Sequence, residues 1–238
     1  MSAQPQIGPD RHNGRVAADS TVARVTLRPI GSPLPLGALA LVPVGLIVAG
    51  TQLGWFTASD QKMVPFILLG FAVPLQLVAS IFAFLGRDSL VGTGFGMFTG
   101  TWLAYGLALL SSAPGQTSHV LGVFFLAMGG AFALLAGGGI VGGKAAAGAI
   151  IVTGSARFIL SGLYEVTGAT GVERAAGLVG LVFAGVAAYV GLATLLEDNA
   201  RRPMLPMGRR GMARAAVTAD LEAQLRDLEH EAGVREQL

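Results

Sequence analysis

Long apolar runs, broken only by short polar or turn-like stretches, occupy the middle of the chain. A helix that crosses the ~30 Å hydrocarbon layer needs about 20 predominantly apolar residues. Six segments meet that length, at about 35–56, 64–85, 91–112, 118–138, 145–165 and 174–196. Between them lie Thr57 to Lys62, Gly86 to Ser89, Ser112 to Gln116, the glycine run Gly137 to Gly143 with Lys144, and Gly168 to Arg174. Backbone groups in lipid must be satisfied within the structure, which runs of this length achieve as helices. The ~10-residue alternating segments of a membrane β-barrel are absent. The pattern predicts an all-α integral membrane protein built as a bundle of six transmembrane helices. The turn between the fourth and fifth spans is the least defined, because the glycines from Gly137 to Gly143 allow it anywhere among them.

The flanks read differently. Residues 1–33 lack an apolar core and a cleavage site, so they are expected to be a disordered cytoplasmic tail rather than a signal peptide. Residues 34–197 form the six-helix transmembrane domain. Residues 198–238 read as a basic linker and an amphipathic helix, with Val217, Leu221, Leu225, Leu228 and Ala232 at helical spacing. This helix is expected to pack on a neighbouring tail or to lie on the membrane.

Charge placement sharpens the picture. Charged residues make up 13% of the chain, against roughly 25% in ordinary soluble domains. Only nine Lys, Arg, Asp or Glu fall between Pro35 and Leu196, mostly at the breaks. If the N-terminus is cytoplasmic, the inner segments hold Arg11, Arg15, Arg24, Arg28, Arg87, Lys144 and seven C-terminal arginines, and the outer loops hold Lys62 and Arg174. The asymmetry predicts both termini in the cytoplasm of a multi-pass plasma-membrane protein. Arg201, Arg202, Arg209, Arg210 and Arg214 directly follow the last span, where they suit anionic lipid headgroups.

The chain has no cysteine, and its histidines are His12, His119 and His230. No metalloprotease helix motif, nucleophile elbow or paired intramembrane carboxylate occurs, so an enzyme, a metal and a cofactor are not expected. Nothing points to nucleic acid. Gly92, Gly96 and Gly100 recur at four-residue spacing in the third span, a small-residue face that permits close helix approach within one subunit or between subunits. Gly177, Gly180, Ala184 and Ala188 repeat the device in the sixth. Pro43 and Pro74 lie within the first two spans and are expected to kink them.

Arg157 is the charge set deepest in a span, about twelve residues into the fifth. A charge at that depth costs at least ~2.5–3.5 kcal/mol, which makes a functional role the default reading. It either faces a pathway and attracts an anion, or snorkels outward or pairs with Glu165. Gln76, Thr93, Thr99, Thr101, Thr153 and Ser155 are uncharged candidates for a pore wall, although such groups commonly bond to their own or a neighbouring helix.

The first span opens Ser32-Pro33-Leu34-Pro35-Leu36-Gly37-Ala38-Leu39-Ala40-Leu41, and Gln76, Phe84, Gly92-Thr93-Gly94-Phe95 and Trp102-Leu103 follow in the second and third. These blocks resemble the signature of the acetate uptake transporter family of acetate–succinate permeases. The likeness runs through residues 32–196 in order and is tighter in the first three helices. It implies a six-helix subunit with its own pore, assembled as a homo-hexamer, and a cargo of acetate, succinate or another small carboxylate. The family's Asn before the first proline is Ser32 here. Its narrow point maps to Leu41, Phe98 and a position between Phe158 and Leu160, taken as Leu160, with Phe98 where the family carries Tyr. The resemblance thus implies an apolar constriction of Leu41, Phe98 and Leu160; the candidate pore- or substrate-facing residues taken together are Arg157, Phe158, Gln76, Ser32 and Thr99. Two other readings stand beside a carboxylate channel or permease: a pore for another small solute, charged or neutral, and a membrane interaction or sensing protein without flux.

Overall fold

The computed structural model describes residues 31–200, 202–211, 213 and 214. The tail before residue 31 and the amphipathic helix expected after residue 216 lie outside the described residues. Among the described residues there is no β-strand, and the elements are helices α1 (Leu34–Gln52), α2 (Ala58–Gln61), α3 (Val64–Ile67), a π-helical turn (Leu68–Ala72), α4 (Val73–Leu85), α5 (Ser89–Ser111), α6 (His119–Val141), α7 (Ala145–Thr167) and α8 (Thr170–Ala200).

Five stretches are long and apolar enough to cross a membrane: α1, the run Ala58–Leu85, α6, α7 and α8. The chain is by these measures a multi-pass membrane protein. α5 matches them at 23 residues and carries no charge, but its five glycines and three threonines dilute its hydropathy. The expected spans shift at their edges. α1 ends at Gln52 rather than near residue 56, because Gly54, at a φ of 75°, turns the chain back. α6 runs through the glycine cluster to Val141, so Gly137 to Gly139 are helical and the turn falls at Gly142 and Gly143. α8 extends both ways beyond the expected 174–196.

Proline explains the second span. A helical proline clashes with the carbonyl four residues earlier, which for Pro74 is that of Gly70. The ladder there widens into the π-helical turn Leu68–Ala72 before α4 resumes with Pro74 in its first turn. Local polar groups stop and start the other helices. Asp88 caps α5 by accepting from the Val91 N–H at 3.1 Å, and its other oxygen pairs with Lys144 at 2.7 Å. Gly168, in the left-handed region at a φ of 66°, ends α7.

Consecutive long helices pack on one another, and α8 returns against α1, so α1, α4, α5, α6, α7 and α8 close a ring. Small residues set the approach. A Cβ on Gly162 would lie 2.8 Å from the Gly122 carbonyl oxygen, and one on Gly180 would lie 3.0 Å from the Ala49 Cβ. Gly92 and Gly96 face Phe84 and Ser80 of α4, within the chain. Gly100 faces open space, so it does not continue their packing face inside this subunit.

The segment after α8 folds back across the end of the bundle that holds the start of α1. Arg209 makes a bidentate pair with Glu197 at 2.7 and 2.8 Å, Tyr189 donates to the Pro206 carbonyl at 2.8 Å, and Met207 is buried in the apolar core.

Candidate functional site

The ring encloses a plug of aromatic side chains. Phe98 of α5 lies 4.5 Å from Phe132 of α6, 5.5 Å from Phe183 of α8 and 6.0 Å from Phe158 of α7, between ring centroids. Trp102 stacks along Phe98 at 6.3 Å and tilts against Phe158 at 5.8 Å. All five are 2% exposed or less. Gly154 makes room for the plug, since a Cβ there would meet Phe98 at 3.0 Å and Phe183 at 3.4 Å. Leu41 belongs to the same buried cluster. Leu160 does not: it is half-exposed on another face of α7, and the α7 residue within the plug is Phe158. Of the three residues expected at a constriction, Leu41 and Phe98 share the buried cluster and Leu160 lies apart from it. Side chains at 158 and 160 project roughly 200° apart around a helix, so both cannot face the axis.

On the side opposite the start of α1 and the end of α8, a cavity of about 480 Å³ opens above the plug. The ends of α1, α5 and α7, the start of α8 and the loops around Lys62 and Gln116 line it. Trp102, Phe158 and Arg157 belong to its lining. A much smaller pocket on the other side is lined by Phe95, Phe98 and Ile151, among others. The aromatic plug stands between the two.

Nearly every neutral polar group within the bundle is spent on a backbone carbonyl. Thr99 donates to Phe95, Thr101 to Met97, Thr153 to Ala149 and Thr194 to Val190, each one turn back on its own helix. Ser155 donates to Gly129, Ser80 to Gly92 and Gln76 to Gly37, each across to a neighbouring helix. Thr99 and Gln76, expected at the substrate, thus each donate to a backbone carbonyl, and the Gln76 Oε1 has no partner among the described residues. Ser32 is exposed at the chain's entry into α1, away from the cavity.

Arg157 is different. It is 1% exposed, and its Nη1 donates to the Gly45 carbonyl at a long 3.3 Å. The guanidinium lies 5.8 Å from the centroids of both Trp102 and Phe183. Among the described residues its Nη2 has no hydrogen-bond partner, and neither have the Trp102 indole Nε1 and the Gln52 Oε1. All three residues line the cavity. Gly180 supplies the room, because a Cβ there would meet Nη1 at 3.0 Å. Arg157 neither snorkels nor pairs with Glu165. The Glu165 carboxylate instead accepts the Ser118 N–H at 2.7 Å, at the start of α6.

Arg157, Ser161 and Glu165 recur at four-residue steps on one face of α7. Ser161 accepts from the Gln52 Nε2 at 2.9 Å, about 6 Å along α7 from Arg157. The site thus has two polar layers above the plug: a pair of unspent donors on Arg157 and Trp102, and nearer the mouth the Gln52–Ser161 pair. Gln52, Ser161 and the indole of Trp102 were not among the residues expected from sequence. The α7 stripe was visible in the spacing, but Gln52, at the apolar end of α1, gave no sign of its partner.

No family model matches the chain, and no curated protein matches it by sequence. Its fold matches the solved structure of the bacterial acetate channel SatP with a TM-score of 0.66 at 20% identity, over 75% of this chain and 99% of that one. The all-helical architecture is therefore that of a known membrane channel.

Proposed function

We propose that the chain belongs to the acetate uptake transporter family and conducts small carboxylic acids across the plasma membrane, with six spans per subunit, a pore in each, and both termini cytoplasmic. The observation that carries this reading is the buried Arg157 guanidinium over the Trp102 ring: its Nη2 and the indole Nε1 have no partner among the described residues, and both residues line the cavity. Two donors and a positive charge suit a carboxylate, which accepts hydrogen bonds and is shorter-bonded and more strongly held when its partner is charged. An unpaired buried polar group costs ~1–3 kcal/mol, so holding these groups ready is explained by a solute that completes them.

Selection follows from the order of the layers. A solute enters the cavity, meets Arg157 and Trp102, and passes only when the rings of Phe98, Phe132, Phe158 and Phe183 part. A narrow, dry, aromatic passage favours small solutes and excludes hydrated ions, as apolar constrictions gate by dewetting. Phe98 lacks a phenolic hydroxyl, which leaves the donors of the cavity to supply recognition. The outward-facing Gly100 suits a contact between subunits of the hexamer that the family resemblance implies.

The test is uptake of labelled acetate into liposomes holding the purified protein. Uptake above that of empty liposomes, selectively reduced by Arg157→Gln, is expected. Absence of acetate uptake together with swelling in neutral solutes would favour a neutral-solute pore, and no flux of either kind would favour a non-conducting role. Native mass spectrometry from detergent checks the hexamer.

A further inference from the structure

We infer that the Gln52–Ser161 layer recognises a hydroxyl group, so that the cavity discriminates in favour of short hydroxy acids over the matching unsubstituted acids. The inference rests on the carboxylate reading of Arg157 and extends it to the second layer. Gln52 is 8% exposed and Ser161 6%, and they bond to each other across α1 and α7 at 2.9 Å. That bond uses one group from each. With the amide nitrogen donating to Ser161, the Gln52 Oε1 has no partner among the described residues, and the second amide N–H and the Ser161 hydroxyl hydrogen remain as donors. Turning the amide over makes the Ser161 hydroxyl the donor to Gln52 and leaves the two amide N–H groups as donors and the serine oxygen as an acceptor. A hydroxyl in a membrane helix ordinarily spends its hydrogen on a backbone carbonyl, of its own helix as Thr99, Thr101 and Thr194 do here or of a neighbour as Ser80 and Ser155 do. Ser161 makes no such bond.

A hydroxyl is the small group that donates and accepts at one atom, and it fits a layer that offers both donors and an acceptor. The carboxylate layer at Arg157 and Trp102 lies about one helical turn away, ~6 Å. Since each hydrogen bond spans ~2.9 Å, one short solute can touch both layers at once. A site built to bond a hydroxyl discriminates strongly against the analogue that lacks it, because the site's own buried polar groups are then left unpaired.

Glycolate and propionate make the decisive comparison, since they differ by a hydroxyl in place of a methyl. Each is used to compete with labelled acetate for uptake into liposomes holding the full-length protein. Glycolate is expected to compete about tenfold more strongly than propionate, and Gln52→Leu and Ser161→Ala are each expected to bring that ratio to about one. Intact acetate uptake with propionate competing as well as glycolate would overturn the inference and leave the carboxylate reading standing. A glycolate preference that persists in both variants would also overturn it, by placing hydroxyl recognition elsewhere. Absence of acetate uptake by the unsubstituted protein would overturn both. The wild-type ratio needs no variant, so a failure of either substitution to fold leaves the test intact.

Discussion

Replacing Arg157 with methionine separates a residue kept for flux from one kept for folding. Methionine retains an unbranched apolar stem and removes the charge. On the favourable side, the native guanidinium makes one long bond to Gly45 at 3.3 Å and two ring contacts at 5.8 Å. A bond from a charged donor contributes at most ~1.5–3 kcal/mol, and less at that length, while each ring contact adds ~0.5–2 kcal/mol. Against these stand the unpaired Nη2, at ~1–3 kcal/mol, and the burial of an unpaired charge, at several kcal/mol. The two sides cancel or favour methionine. Arg157→Met is therefore expected to leave the melting temperature of the detergent-solubilised protein unchanged or raised, and to reduce acetate uptake about tenfold to a hundredfold, the worth of one charge-assisted bond. Tryptophan fluorescence during heating and liposome uptake measure the two quantities on the same preparation. A large loss of stability with proportionate loss of uptake would refute the reasoning, as would full uptake by a stable variant.

Further expectations follow from close contacts elsewhere. Gly180→Ala crowds both Nη1 of Arg157 and the Ala49 Cβ at 3.0 Å, so it should impair acetate uptake more than it lowers thermal stability; the reverse order would count against Arg157's placement. Gly162→Val drives a side chain into the Gly122 carbonyl at 2.8 Å and should cost at least ~1–3 kcal/mol, read as a lower melting temperature, whereas Gly100→Ala should leave it unmoved. Phe98→Ala removes the ring at the centre of the plug and should admit larger carboxylates at a stability cost of ~3–5 kcal/mol; unchanged size selectivity would place the gate elsewhere. Arg209→Ala frees the segment held by the bidentate pair with Glu197 and should speed tryptic cleavage after α8, seen as earlier loss of the C-terminal fragment on a gel.

Much of the architecture was legible because a bilayer enforces it. Length, apolarity and the short polar breaks marked out the long helices, and their edges moved only where local geometry intervened. The glycines from Gly137 to Gly139 continue α6, since a helix packed against its neighbours tolerates glycines that would end an isolated one. The π-helical turn at Leu68–Ala72 was foreshadowed by Pro74, whose ring must displace a carbonyl, but a proline alone does not say whether a helix bends or widens. The site was less legible. Arg157 stood out as a charge among apolar residues, and its stripe with Ser161 and Glu165 follows from helical spacing. What sequence withheld was which polar groups are already spent. Thr99 was a candidate and Ser161 was not, and the path of the Thr99 hydrogen bond, back to its own helix, is what separates them. Leu160 was placed by the resemblance: Phe158 and Leu160 are both apolar, and which of them turns inward shows only once α7 is set against α5 and α6.

The central claim is that a buried guanidinium above an aromatic plug selects small carboxylates. Acetate and acetamide have nearly the same size and shape and differ in charge, so their relative entry into liposomes holding the protein tests that claim most directly. Acetate entering well above the empty-liposome rate, with acetamide close to it, is the predicted result. Equal entry of the two, or entry of acetamide alone, would contradict it.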